Sequence, residues 1–579
     1  MTSFPALHRA LVAGLVALLA SCAQAPVEGE PQAAKPKEPA ASAKPTPQLP
    51  PQDLTPEVLY EYLVAEMAIH RKEYNLAARA YVYLARKTRD PRIARRATDI
   101  AVYARQAALA VEAATIWLQA EPESIPARQT LASILIGSGA LQDVRPHLEM
   151  LLASDPERTA QVFLQMNTML ARHTDKAAVA KLVHELAQLY PKLPEAHVAA
   201  AQASWHANQP DAALAAAKEA LQLRPDWELA ALFQAQMLQR RSPAESIEFS
   251  REYLKAHPGA KEVRVNLARM FAAERRTDDA RREIDALVSA HPRNADVALT
   301  AGLLGVQIAD WTLAEQQLKR ALELNANGAD TVRFYLGQVS EERKQLDDAL
   351  RWYREVAGGE QYIPAQGRIA GILTKQGKLE EARALLHSIQ PQTLQQRVHL
   401  TQAEAAILRE AGAYKEAFDL LEQALAKMPN VPDLLYDHAM AAEKVDRLDV
   451  LEANLRKLIE LRPDHAHAYN ALGYTLADRT DRLQEAHDLI AHALKLSPED
   501  PFIQDSMGWV LYRMGRTDEG RAYLEKAFKV RPDPEIAAHL GEVLWAQGRH
   551  DEARRVWQGT LKDHPGNATL QAVIKKYAQ

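Results

Sequence analysis

The sequence predicts an all-α solenoid of stacked antiparallel helix pairs. Three observations carry that prediction. Prolines recur at Pro122, Pro156, Pro191, Pro225, Pro258 and Pro292, with gaps of 34, 35, 34, 33 and 34 residues. The series returns at Pro429, Pro463, Pro498, Pro532 and Pro565, with gaps of 34, 35, 34 and 33. Each period repeats the same frame of large and small residues, and no glycine-rich or proline-rich break interrupts the helical pattern after Leu54. A period of this length is one helix–turn–helix unit, which cannot bury its apolar face alone and so stacks on its neighbours.

The N-terminal segment reads differently. His8 and Arg9 precede an apolar run from Ala10 to Ala20. That run is too short for a membrane-spanning helix, which needs roughly 20 apolar residues. It suits the apolar region of a secretory signal peptide. Leu19-Ala20-Ser21-Cys22 follows, and Cys22 is the only cysteine among 579 residues. The tetrad resembles the bacterial lipobox, in which two small residues fit a narrow peptidase cleft and the thiol accepts a diacylglyceryl group. Residues 1–21 are therefore expected to be a lipoprotein signal peptide, with Cys22 lipidated at the start of the mature chain. Ala23, where this class often carries aspartate for inner-membrane retention, resembles outer-membrane sorting. The expected location is the periplasmic face of the outer membrane.

Residues 22–53 form a proline-rich linker, with Pro26, Pro31, Pro36, Pro39, Pro45, Pro47, Pro50 and Pro51 among Ala, Lys, Glu, Ser and Gln. Such a stretch has too little apolar content to fold and tends towards polyproline II. Fully extended at ~3.1 Å per residue it reaches on the order of 90 Å. It is read as a tether. With Cys22 modified, no thiol remains for a disulfide or a metal, so the body must be stable by packing alone.

Residues 54–579 are the repeat body, about 14–15 helix pairs. In "DSMGWVLYRMGRTDEGRAYLEKAFKVRP", Met507-Gly508 is followed by Leu511, Gly520, Leu524, Ala527 and Pro532. The preceding unit has Leu472-Gly473, Leu476, Ala486, Ile490, Ala493 and Pro498; the following one has Leu540-Gly541, Leu544, Ala553, Trp557 and Pro565. The frame fits Leu267-Ala268 and Leu336-Gly337, and more loosely Tyr74 to Asp90 with Ala77 and Tyr81. This pattern resembles the tetratricopeptide repeat. Gly or Ala at the eighth position lets the two helices of a pair approach, large residues fill the groove between them, and proline marks the boundary. Glu404 and His438 stand where a large apolar residue is expected, and the turns around Gly358–Pro364 and Gln390–Gln396 are irregular.

Chemistry is sparse. His465 and His467 are two apart and point to different faces of a helix, as do His487 and His492. There is no HExxH, no cysteine pair, no phosphate loop and no GxSxG, so no metal, cofactor or catalytic constellation is read, and an enzyme is not predicted. A net charge of −5 gives no field suited to nucleic acid.

The informative residues are aromatics on the inner stripe of the first helix of each pair, at positions 5, 9 and 12, spaced i, i+4, i+7. Tyr474 and Trp509 fall at position 9; Tyr512, Trp545 and Trp205 fall at position 12. They are the candidate partner-binding groove, with packing between adjacent helices as the alternative. Trp117 and Trp557 fall at core positions of second helices.

A narrower resemblance rests on "LTPEVLYEYLVAEMAIHRKEYNLAARAYVYLARKTRDPRIARRATDIA", "YNALGYTLADRTDRLQEAHDLI" and "DSMGWVLYRMGR". Together they look like a family of proteobacterial outer-membrane lipoproteins. The resemblance implies an adaptor that binds a periplasmic carboxyl-terminal processing protease, supports its activity and brings it peptidoglycan hydrolases to degrade. The alternative is a scaffold lipoprotein of another envelope machine serving a pilus, polysaccharide export or outer-membrane assembly.

Overall fold

A computed structural model describes residues 53–153, 156–171 and 173–577. Among them are 31 helices and no strand. The signal segment, Cys22 and the proline-rich linker to residue 52 lie outside the described residues. The helices run as fifteen consecutive pairs from Pro56–His70 with Tyr74–Thr88 to Pro534–Ala546 with His550–Asp563, followed by a single helix, Ala568–Tyr577. The chain divides into two compact units, residues 1–182 and 183–579.

In the first unit, Pro56–His70 starts where Thr55 Oγ1 accepts from Val58 N at 3.3 Å. Pro91–Tyr103 starts in the same way, with Asp90 Oδ1 accepting from Arg92 N at 2.9 Å. Proline at the first helical position loses nothing, because that N–H has no intrahelical acceptor. The core gathers Ala65, Tyr81, Leu84 and Trp117 around many alanines. Tyr81 is fully buried, and its hydroxyl accepts from Arg96 Nε at 2.8 Å while donating to Glu66. The first helix leaves Leu59, Tyr60, Leu63 and Met67 exposed, at the spacing of one helix face.

In the second unit the pairs from Ala466 to Asp563 follow the sequence frame closely. Leu472, Leu476, Ile490, Leu511, Leu524, Leu540, Leu544 and Trp557 are all buried. The eighth-position glycines mark where the two helices touch. A Cβ on Gly473 would sit 2.6 Å from Ile490 Cγ1, one on Gly508 2.5 Å from Leu524 Cγ, and one on Gly541 inside the Trp557 ring. Interiors packed to crystal density have no room for such an atom. The closing helix Ala568–Tyr577 buries Leu570 and lays Tyr577 on Trp557, with ring centroids 5.5 Å apart.

The middle of this unit departs from the frame. The second helices Leu346–Arg354 and Leu379–His387 are nine residues long, against fourteen for Leu483–Leu496 and Thr517–Val530. The irregular turns of the sequence are the connections that replace the missing helical turns. Gly358 N donates to Asp330 Oδ2 at 3.0 Å, and Gln392 N donates to Gln396 Oε1 at 2.7 Å. The two residues that break the apolar pattern are buried with partners. Glu404 accepts from His387 Nε2 at 2.9 Å and Arg383 Nε at 3.2 Å. His438 meets Asn454 Nδ2 through Nδ1 at 2.9 Å and tilts over Phe418.

Candidate protein-binding face

The face lies on the first helices of the last repeats, Pro432–Lys444, Ala466–Arg479, Pro501–Arg513 and Pro534–Ala546, of which the last three start at side-chain N-caps. Asp500 Oδ1 accepts from Phe502 N at 2.9 Å and Ile503 N at 3.2 Å; Asp533 Oδ1 accepts from Glu535 N at 3.0 Å. His465 does the same work through Nδ1, accepting from Ala468 N at 3.0 Å, which gives one of the histidines in "DHAHAY" a structural role. With the starts fixed, positions 5 and 9 of successive helices come side by side.

Tyr474 and Trp509 meet through a residue that the aromatic pattern does not single out. His539 stacks on Trp509 with ring centroids 4.4 Å apart and places Nε2 3.4 Å from the Tyr474 hydroxyl. Its Nδ1 lies 3.0 Å from both carboxylate oxygens of Asp505, whose side chain is 8% exposed. Burial works against a charge on His539, but the Asp505 carboxylate, through its charge and its hydrogen bond, outweighs that and holds the imidazole above its ordinary range. Trp509 is itself buried, and its indole N–H has no acceptor. Tyr512 packs on Trp509 at 5.5 Å.

Tyr474 is half-buried. Burial first, and then the charges of Asp478, Asp505, Glu535 and Glu443, keep its hydroxyl protonated well beyond the usual phenol range. One helix earlier, Tyr436 is likewise half-buried, raised by burial and then by Asp437, Glu443 and Asp500. Asp437 accepts from Gln402 Nε2 at 2.7 Å and is raised by burial. The face is therefore aromatic and acidic together.

Trp545 and Trp205 stand apart from this group. Trp545 stacks on His550 at 4.1 Å and Trp557 at 5.8 Å and packs on Tyr577, so it belongs to the closing end of the solenoid. Tyr512 touches that same apolar cluster and links the two groups. Trp205 is half-buried in an earlier repeat, with the Arg240 guanidinium 5.3 Å from its ring centroid. Asp505 and Tyr436 fall at position 5 of the frame, on the same stripe as Tyr474 and Trp509. His539, at position 6, is found only from the packing. Among the described residues no group of acidic, histidine or cysteine side chains could hold a metal ion, and no helix is long and apolar enough to cross a membrane.

Residues 299–363, 436–501 and 506–568 match the tetratricopeptide repeat family. The chain is 32% identical over 477 residues to the TPR repeat-containing protein PA4667 of Pseudomonas aeruginosa, covering 82% of this chain and 80% of that protein. It is 25% identical over 343 residues to the cellulose synthase operon protein C of Pseudomonas fluorescens, covering 48% of this chain and 26% of that protein. Among solved structures, a thermophilic TPR protein of Thermus thermophilus aligns at 25% identity over 29% of this chain and 92% of its own, with a TM-score of 0.27.

Proposed function

We infer the function from one premise: the chain belongs to the tetratricopeptide-repeat family. Its repeats make it a scaffold for protein–protein interaction. Beyond that, we propose a lipid-anchored adaptor at the periplasmic face of the outer membrane. In this reading it holds a carboxyl-terminal processing protease and presents cell-wall hydrolases to it. The observation that carries a binding role is the aromatic and acidic face on successive first helices, with Tyr474 and Trp509 joined through His539. The adaptor identity is supported by the sequence resemblance, and the anchor by the Leu19-to-Cys22 tetrad.

The mechanism is local concentration. The lipid confines the scaffold to a surface, the linker gives reach, and separate repeats hold protease and substrate together. Holding two partners on one tether raises apparent affinity by ~10²–10⁴ without a new contact. The test is reconstitution. The full-length protein should accelerate cleavage of a cell-wall hydrolase by the processing protease, and Cys22→Ser should leave the membrane fraction or accumulate as uncleaved precursor. Absence of any complex with the protease overturns the adaptor reading. The similarity to the cellulose synthase operon protein favours a second reading, a scaffold in polysaccharide export. Co-purification with export components in place of the protease selects it.

A further inference from the structure

Three acidic groups of the face between Pro432 and Ala546 have no ion-pair partner among the described residues. Asp505 is paired with His539, and Glu443 has Lys444 at 3.6 Å. The three without one are Asp437, Asp478 and Glu535, although Arg409 acts on Asp437 from a distance, and His539 and Lys444 act on Glu535. Two nearby arginines are committed elsewhere. Arg513 Nη1 donates to the carbonyls of Ala477 at 2.7 Å and Asp478 at 3.1 Å, and Arg479 Nη2 donates to Asp446 at 2.6 Å. Two half-buried phenol rings, Tyr436 and Tyr474, sit among these carboxylates. The buried indole of Trp509 adds a donor with no acceptor.

Unpaired carboxylates beside aromatic faces suit a guanidinium or ammonium, which gains from the charge and the ring together. We propose that this face takes a cationic segment of a partner protein, an extended peptide bearing arginine or lysine. This rests on the scaffold reading and adds the chemistry of the partner.

The test uses the full-length protein and fluorescence anisotropy with a labelled Arg–Ser repeat peptide. A Glu–Ser peptide of equal length is the control. The Arg–Ser peptide should bind and the Glu–Ser peptide should not. Binding should weaken with salt, because Asp478 and Glu535 are exposed and screened. Neutralising the unpaired groups together, Asp437→Asn, Asp478→Asn and Glu535→Gln, should weaken it about tenfold or more. Tyr474→Leu should weaken arginine-peptide binding with the charge unchanged. A remote triple, Glu380→Gln, Asp518→Asn and Asp551→Asn, exposed by 87%, 89% and 91%, should leave it unaltered. Circular dichroism checks that each variant stays helical. Equal binding by the groove triple, or an equal loss in the remote triple, overturns the proposal. If the groove triple still recruits the processing protease at full strength and shows no peptide defect, this proposal falls and the adaptor reading stands.

Discussion

Gly508 and Gly371 are both mid-helix glycines of the same unit, and they do opposite things. A Cβ at Gly508 would strike Leu524 at 2.5 Å and the Gly520 carbonyl at 2.8 Å, whereas one at Gly371 would meet nothing within 4 Å. The first sits in a repeat that keeps the frame and packs its helices backbone to side chain. The second sits in the irregular middle, where second helices are nine residues long and a buried carboxylate, Glu404, replaces an apolar side chain. A Cβ on Gly337, the eighth-position glycine of the irregular middle, would still fall 2.5 Å from Tyr353 Cε1, so what sets this region apart is its short second helices and the polar network at Glu404. A binding face needs fixed spacing between successive helices, and it is found where the frame is kept.

The comparison can be broken most forcefully at Gly508. Gly508→Leu should lower the stability of the C-terminal repeats by about 3 kcal/mol, read as lost hydrogen-exchange protection in Pro501–Arg513 and Thr517–Val530. A smaller effect is expected at Glu404. Its partners Arg383 and His387 keep 28% and 57% of their side chains exposed, so they recover water when the carboxylate is removed. Glu404→Ala leaves a cavity and should cost about 2 kcal/mol. Glu404→Leu restores the frame and should cost less than about 1 kcal/mol. A larger loss with Leu than with Ala in urea denaturation would show that the network is required for the irregular packing.

Two buried histidines offer a subtler contrast. Burial lowers the pKa of His438 in the folded state, so protonation favours unfolding. Its contribution is whole above the ordinary value of 6.5 and is lost as pH falls below it. His539 is raised, so its contribution is whole below 6.5 and is lost as pH rises through the higher folded value. His438→Leu should therefore flatten the acid side of a melting-temperature profile, and His539→Gln the alkaline side. The opposite assignment would refute both environments.

The smallest changes are at glycines and turns. Gly371→Ala should stabilise by about 0.5–1 kcal/mol, because the helix gains propensity and nothing is struck. Lys344 holds a left-handed turn at φ 61°, a place taken by Gly515 at φ 80° in the regular repeat. Lys344→Gly should gain about 0.5 kcal/mol. Thermal melts of both variants check this.

The sequence by itself determined the helical solenoid, its period and its core. Proline spacing, the eighth-position small residues and the apolar positions are local signals that each repeat states again. It also exposed the misfits: Glu404, His438 and two odd turns all stand out against a frame repeated many times. What it left open was decided by tertiary contact. Tyr512 and Trp545 share position 12 of the frame, yet one packs on Trp509 and the other on Trp557 and Tyr577. The His539–Asp505 pair spans 34 residues and the Tyr474–His539 contact 65. No periodicity within one repeat encodes such a meeting. It depends on how far each helix is rotated against the next, which is set by the volumes packed between them.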